Sequence, residues 1–164
     1  MKENRSALFP ITFFHTLLAA YGQPRWWSKK PYWVMFQAVL VQNTTWANVE
    51  KTCALLEEQI IPEKIARLTS AELERMIRPC GFPKAKARTI QALTAWYQNY
   101  GFDQAVVQGL PQEKLRNELL SLRGVGPETA DVILVYSFYK PSFIVDAYTR
   151  RLLARLGYAF PNDR

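Results

Sequence analysis

Two glycines, Gly124 and Gly126, form a short turn between two helical sequence patterns. Glycines on both sides of one apolar residue let the backbone turn sharply and come close to another molecule. Val125 can then enter the core, while the amides of the turn and of the next helix face outward. N–H groups at a helix N-terminus suit phosphate, so the turn predicts a phosphate-binding site. The alternative for an isolated Gly-x-Gly is a connector that binds nothing.

One carboxylate, that of Asp146, follows the apolar run 143–145 and precedes another helical pattern. At that position it can accept N–H bonds from the first helical turn, which contributes about 1 kcal/mol as an N-cap. A carboxylate held in this way can also stabilise positive charge that develops in a reaction, or orient an attacking water. The capping role alone explains an aspartate here, and the two roles are compatible.

The elements that must hold this turn and this carboxylate in place are predicted to be helices. Apolar residues recur at spacings of three and four along most of the chain, and alternation typical of strands is scarce. The runs 39–41 and 143–145 fit either type of element, but both continue into helical patterns. Thr45 predicts one helix N-terminus, and Thr69 with Glu72 predicts a capping box. We therefore predict an all-α fold. Further helices are expected to begin at Pro83, Pro111 and Pro127.

The bulk properties of the 164-residue chain fit one compact unit with a basic surface. The net charge is +7, which favours a polyanionic partner such as nucleic acid or an anionic lipid surface. Cys53 and Cys80 form neither a disulfide framework nor a zinc site, so a reducing, cytoplasmic location is expected. No apolar run is long enough to span a membrane. We divide the chain into an N-terminal segment with an aromatic loop, 1–30, and a core, 31–164, and expect a monomer.

Several segments together resemble one known family. Residues 122–131, LRGVGPETAD, and 145–152, VDAYTRRL, resemble the helix-hairpin-helix and catalytic-aspartate segments of endonuclease III-like DNA glycosylases. Residues 39–45 resemble that family's first core helix, and 81–88 a turn in the middle of the domain. The matches follow the family's order. The resemblance implies a helical bundle or barrel that binds double-stranded DNA, and it assigns to Asp146 the stabilisation of a cationic sugar during glycosidic cleavage.

The outward amides of the turn and the basic balance of the chain, together with the resemblance, predict which residues contact the DNA backbone. They belong to the hairpin and to the mid-domain turn, and such contacts position a protein on DNA without reading its sequence. Lys84 and Lys86 in that turn are usually just a solvated face, but the basic balance of the chain favours phosphate contact. A structural monovalent cation at the hairpin is a further implication, and no other cofactor is expected. The backbone-contacting residues are Leu122, Gly124, Val125, Gly126, Thr129, Lys84 and Lys86.

The chain departs from the family at two points. Bifunctional members carry a lysine two residues after the second hairpin glycine, and its amine forms a Schiff base with the sugar. This position is Glu128, and a carboxylate cannot form an imine, so we predict a monofunctional enzyme without lyase activity. Many members also hold an iron–sulfur cluster on four cysteines after the catalytic helix, and the last cysteine here is Cys80, so no cluster is expected. Because the sequence stops at Arg164, we expect a C-terminally truncated form.

The aromatic residues near the N-terminus predict a base pocket. Trp26 and Trp27, followed by Gln42 and Trp46, resemble the 3-methyladenine branch of the family, which implies that one of the first two tryptophans and Trp46 stack on an extruded base. An alkylated purine is cationic, so an indole face attracts it more strongly than a normal base. Gln42 is implied to fill the gap left by the flipped nucleotide. On local evidence it is equally consistent with a residue that caps a helix end.

The predicted function is base excision repair: hydrolysis of the glycosidic bond of a damaged, alkylated base, which leaves an abasic site. A glycosylase for mismatched or oxidised bases is a related alternative. A non-catalytic DNA-binding module, expected if a truncated form lacks turnover, and a helical protein-interaction domain are the alternatives from other classes.

Overall fold

The computed structural model describes residues 4–23 and 30–158, with side chains from residue 11 onward. Every regular element in these two ranges is a helix, so the predicted all-α class is confirmed for the part of the chain that is described. The division of the chain at residue 30 stays a prediction. A short 3₁₀ helix, Arg78–Cys80, accompanies ten α-helices: α1 Asn4–Tyr21, α2 Pro31–Leu40, α3 Trp46–Leu55, α4 Pro62–Ile65, α5 Ser70–Ile77, α6 Pro83–Gln98, α7 Gln104–Gln108, α8 Gln112–Ser121, α9 Pro127–Phe138 and α10 Ala147–Arg155.

Helix α2 forms the centre of the core, because it is apolar on nearly all sides. Eight of its ten residues are buried, and it packs against α9 and α6. A helix that is hydrophobic all round must be enclosed by other elements. Helix α5 packs along α6, and α8 along α9. The two helices on either side of the hairpin, α8 and α9, are therefore fixed by the core and hold the turn between them.

The helix starts that the sequence predicts from local capping chemistry are confirmed. The Thr45 hydroxyl accepts from the Asn48 backbone N–H at the start of α3. Thr69 and Glu72 form the reciprocal capping box at the start of α5. Each of these side chains satisfies a backbone donor that has no partner within the helix. Pro83 and Pro127 are the first residues of α6 and α9, whereas Pro111 lies one residue before α8.

The two ambiguous apolar runs have different outcomes. Residues 39 and 40 end α2, whereas residues 143–145 belong to no regular element and form part of the segment 139–146 that joins α9 to α10. This segment begins at Tyr139, which ends α9 with a left-handed backbone at φ 53°. It ends at Asp146, so its conformation determines where the predicted catalytic carboxylate lies.

The first and last helices lie outside the buried core. Of the described side chains, those of α10 include none that is buried, and Ile11 and Phe14 of α1 are each 59% exposed. Leu152 of α10 and Leu156, the residue directly after it, are also exposed. In the part of the chain that is described, no helix is long and apolar enough to cross a membrane.

Candidate DNA-binding and catalytic site

The hairpin between α8 and α9 is a tight turn whose apolar residue enters the core. The Val125 N–H donates to the Leu122 carbonyl at 3.1 Å, and the Val125 side chain is 5% exposed. Gly124 and Gly126 are exposed on either side of it. The predicted burial of Val125 is confirmed. Because α9 begins directly after Gly126, the positive end of its helix dipole lies at the same surface as the hairpin.

Glycine is required at position 124 for two reasons. Its φ is +89°, a backbone conformation that side chains rarely adopt, and a Cβ there would overlap Thr89 Oγ1. Thr89 lies in the middle of α6 and is itself buried, so it cannot move aside into solvent. At Gly126, by contrast, φ is −90° and a Cβ would meet nothing within 4 Å. The first glycine is therefore required by the fold, whereas the second keeps the surface open.

The Gln42 side chain, in the turn between α2 and α3, contacts the hairpin. Its Nε2 donates to the Gly124 carbonyl at 3.1 Å and to Thr129 Oγ1 at 2.9 Å. Thr129 is in the first turn of α9 and is 7% exposed, so any DNA contact it makes is through its backbone rather than through its side chain. The role of Gln42 within the DNA helix stays a prediction, as do the contacts of the hairpin residues with the DNA backbone.

The two lysines predicted to contact the DNA backbone lie in different environments. Lys84 is exposed near the start of α6, as a phosphate contact requires. The prediction for Lys86 is wrong, because its ammonium is buried and donates to the carbonyls of Leu40, at 2.9 Å, and Cys80, at 2.6 Å. Burial lowers the pKa of Lys86. Lys86 thus joins the C-terminal end of α2 to the 3₁₀ helix and cannot reach a phosphate.

Asp146 caps α10, as predicted: its Oδ1 accepts from the Thr149 backbone N–H at 2.6 Å. The Thr149 hydroxyl donates to the Ile144 carbonyl at 3.2 Å, which fixes the approach to the cap. Glu128, at the second position of α9, lies close to Asp146. Burial and the Asp146 charge together raise the pKa of Glu128. The structure therefore brings the predicted catalytic carboxylate, the start of α9 and the hairpin to one surface.

The segment that carries Asp146 is held against α8 and α9 by a partly buried ion pair. The Arg116 guanidinium donates to both carboxylate oxygens of Asp131, at 2.9 and 3.3 Å, and Ser142 Oγ donates to Asp131 at 2.9 Å. Gln112 Nε2 donates to the Pro141 carbonyl at 2.7 Å. Two residues of the segment 139–146 are thus bound to side chains of rigid helices, which positions Asp146 at its end.

Comparison with known proteins identifies the family. The HhH-GPD superfamily of base excision DNA repair proteins matches residues 36–163. The chain belongs to this superfamily. A DNA repair glycosylase assigned in Methanocaldococcus jannaschii is 40% identical over 162 residues, which are 96% of this chain and 73% of that protein. Endonuclease III of Thermotoga maritima is 32% identical over 130 residues, 78% of this chain and 57% of that protein.

Solved structures agree with this assignment. A non-covalent endonuclease III–DNA complex matches with a TM-score of 0.76 and 27% identity, over 100% of this chain and 73% of that chain. The H. pylori 3-methyladenine DNA glycosylase bound to 1,N6-ethenoadenine matches with a TM-score of 0.74 and 27% identity, over 96% of this chain and 75% of that one. The predicted resemblance to endonuclease III-like glycosylases is confirmed, and the chain is a base-excision DNA glycosylase of this superfamily.

The predicted base pocket of the glycosylase is described only in part. Trp46 is the first residue of α3, packs half-buried against the core, and donates from Nε1 to Glu50 Oε1 at 2.9 Å. Trp26 and Trp27 lie outside the described residues. The roles of the three tryptophans in base stacking stay predictions.

The backbone carbonyls of the hairpin are the oxygen atoms that would hold the expected monovalent cation of the glycosylase. Those of Leu122 and Gly124 each accept one hydrogen bond, from Val125 N–H and from Gln42 Nε2. A carbonyl oxygen has two lone pairs, so each retains one for a monovalent ion. The residues fit such an ion, and the cation stays a prediction.

The sequence did not identify three residues that position the glycosylase site. Thr89, Arg116 and Ser142 act on the hairpin or on the segment before Asp146. Their partners are 35, 15 and 11 positions away in the chain, so no local spacing indicates the contacts. Lys86 is different: it stands at helical spacing from Ile90 and Leu93, which places it on the buried side of α6. That signal was present in the sequence.

Proposed function

We propose that this glycosylase is monofunctional: it hydrolyses the glycosidic bond of an alkylated purine flipped from double-stranded DNA, and it leaves an abasic site. The observation that supports this most directly is Glu128 itself, the second residue of α9, whose carboxyl pKa is raised by burial and by the charge of Asp146. Where bifunctional relatives would place a reactive amine next to the catalytic aspartate, this chain has a carboxyl group. A carboxyl group cannot form the imine from which strand cleavage proceeds.

In the proposed reaction the bond between C1′ of the deoxyribose and the base nitrogen breaks, and its electron pair leaves with the base. A purine alkylated at N3, such as 3-methyladenine, carries a positive charge beforehand, so it leaves as a neutral base and needs little help from an acid. Positive charge then develops on the sugar ring. The Asp146 carboxylate, fixed by the Thr149 N–H, is proposed to stabilise that charge and to orient the water that attacks C1′.

The substrate class rests on two observations. The H. pylori relative is a 3-methyladenine glycosylase that was solved with an alkylated-type base, ethenoadenine. Trp46, whose indole is half-buried at the start of α3, is proposed to stack on the extruded base. Endonuclease III proteins match at similar identity, so a mismatched or oxidised base is the second candidate.

The test uses duplexes that each carry one defined lesion: 3-methyladenine, ethenoadenine, an oxidised pyrimidine or a G·T mismatch. Alkaline heating after incubation reveals abasic sites. We expect release of the alkylated purines, no strand breaks before alkali and no adduct trapped by borohydride. Trapped adducts would overturn the monofunctional assignment, and release of only oxidised or mismatched bases would replace the substrate class. Salt-sensitive binding without release of any base would favour a non-catalytic module.

A matched pair of variants tests the role of Asp146. Asp146→Asn keeps an N-cap side chain but removes the charge, so we expect the fold to survive and excision to fall by about 10²–10³-fold. Asp103→Asn is the control, since Asp103 caps α7 by accepting from the N–H groups of Ala105 and Val106. It should cap α7 equally well and leave excision unchanged. An equal loss of excision in both variants would indicate that excision depends on helix capping rather than on the charge of Asp146.

A further inference from the structure

The Gln42 side chain forms hydrogen bonds with two successive parts of the DNA-binding motif, the hairpin and the start of α9. The Gly124 carbonyl belongs to the hairpin, and Thr129 Oγ1 belongs to the first turn of α9. A carbonyl can only accept, so the amide nitrogen must be the atom that faces Gly124, and both of its N–H groups are used on the motif. We propose that Gln42 is a positioning residue that clamps the hairpin to the start of α9 in the conformation that binds DNA. The proposal rests on DNA binding by the hairpin, not on the lesion or on the chemistry.

The clamp matters because the hairpin has few bonds of its own. Val125 N–H to Leu122 O is the backbone bond that closes the turn, and Gly124 has a left-handed backbone. Phosphate binding at such a motif requires amides of the turn and of the helix N-terminus to point at the same oxygen atoms. Their relative direction depends on the angle between the turn and α9. Gln42 fixes that angle, because it holds one acceptor on each side.

The clamp is itself anchored in the core. Lys86 of α6 holds the C-terminal end of α2 through the Leu40 carbonyl, two residues before Gln42. Thr89, one turn further along α6, packs against Gly124. Helix α6 therefore fixes both ends of the bridge, the residue that donates and the turn that accepts. A side chain held from both ends has lost most of its rotamer freedom before DNA arrives, so little further ordering is required on binding.

This arrangement differs in its consequences from a role for Gln42 within the DNA helix. A side chain that keeps both hairpin bonds offers DNA only its Oε1 oxygen, which is an acceptor. Loss of the clamp should weaken binding to any duplex, including an undamaged one. Loss of a residue that fills the gap beside a flipped base should instead slow base extrusion and excision on DNA that is already bound. The clamp is therefore tested by the dissociation constant of the duplex, whereas the gap-filling role is tested by the excision rate at saturation.

The experiment measures binding of undamaged duplex by fluorescence anisotropy, and single-turnover excision with enzyme in excess. The variants are Gln42→Ala, Thr129→Val, both together, and Thr129→Ser, which keeps the hydroxyl. We expect each of the first two to weaken duplex binding by about three- to tenfold, the size of one or two lost hydrogen bonds. The double variant should be no weaker than the weaker single one, because both remove the same bridge. Thr129→Ser should bind as the parent does.

Two results would overturn the proposal: parental duplex binding in Thr129→Val, or losses that multiply in the double variant. Gln91→Ala is the matched control, since the Gln91 amide also joins two elements but on the side of α6 that faces α5. It should leave both duplex binding and the excision rate at saturating enzyme unchanged. Because undamaged duplex is the probe, the binding result holds even if no lesion is excised, so failure of the proposed function is distinguishable.

Discussion

Glu128 lies close enough to Asp146 for the Asp146 charge to raise the pKa of the Glu128 carboxyl, and partial burial raises it more strongly. The start of a helix normally favours a carboxylate, because the dipole there is positive. At Glu128 burial and like charge outweigh that attraction. A glycosylase with a lysine at this position would have an attractive pair, whereas this chain tolerates repulsion at the same place.

This repulsion predicts a pH-dependent stability difference in Glu128→Gln. Between its ordinary pKa and its raised folded-state pKa, Glu128 binds more protons in the folded than in the unfolded state, so its contribution to stability falls as pH rises through that window. At pH 7 the variant should therefore melt at a higher temperature than the parent. The difference should shrink towards zero as the pH falls to about 4, where the parent group is itself protonated.

Glu113→Gln is the control for that measurement, because Glu113 occupies the same second position in α8. Removal of its charge sacrifices the favourable helix-dipole interaction, so at pH 7 its melting temperature should stay level or fall slightly. Thermal unfolding of the three proteins from pH 4 to pH 8 checks both. If Glu128→Gln melts below the parent at pH 7, the two carboxyl groups do not repel each other as described.

Arg116→Ala should destabilise the protein and slow excision together. The change leaves the Asp131 carboxylate, 11% exposed, without its bidentate partner, at a cost of about 2 kcal/mol. It also releases Ser142 and the segment that ends at Asp146. Thermal unfolding and single-turnover excision measure the two effects.

Lys114→Ala, on the same helix, is the comparison for Arg116→Ala. Lys114 is 56% exposed and lies 3.9 Å from Glu118, a pair that contributes little because solvent screens it. We expect a change within about 0.5 kcal/mol and unchanged excision. Parental excision in Arg116→Ala would show that the ion pair does not position Asp146.

Gly124→Ala and Gly126→Ala should separate the fold of the hairpin from its contact with DNA. At Gly124 a methyl group meets Thr89 in a left-handed backbone, so we expect a loss of about 2–4 kcal/mol. At Gly126 stability should change by less than about 0.5 kcal/mol, because the added Cβ meets nothing. Duplex affinity should nevertheless fall, since the methyl group lies where the DNA backbone must approach. Unchanged affinity in Gly126→Ala would remove this glycine from the DNA contact.

The sequence predicted those parts of the fold that depend on neighbours in the chain. The caps at Thr45, Thr69 and Asp146 each satisfy a donor three residues away, so their chemistry is visible locally. The family motifs also predicted that the hairpin and Asp146 belong to the same functional site. The Arg116–Asp131 pair was not predictable, because it depends on how α8 and α9 pack on either side of the hairpin.

Lys84 and Lys86 show why composition alone misleads about a basic surface. They are two positions apart on one helix, and successive helical residues point in directions about 100° apart, so the two face nearly opposite sides. Lys84 faces solvent, whereas the Lys86 ammonium donates hydrogen bonds to two backbone carbonyls inside the core. The basic composition favoured a DNA contact for both lysines. The helical period instead places them on different sides of α6.

Because Lys84 is exposed and Lys86 is buried, removal of each charge should affect a different property. Lys84→Met should leave stability within about 0.5 kcal/mol, weaken duplex binding and reduce the salt slope of binding by about one. Lys86→Met fills similar volume but leaves the carbonyls of Leu40 and Cys80 without their donor, at a cost of about 2 kcal/mol. The salt slope of its binding should match the parent, because a buried ammonium releases no counterion from DNA. Thermal unfolding and anisotropy titrations at several salt concentrations measure both effects. A reduced salt slope in Lys86→Met would place that ammonium on the DNA after all.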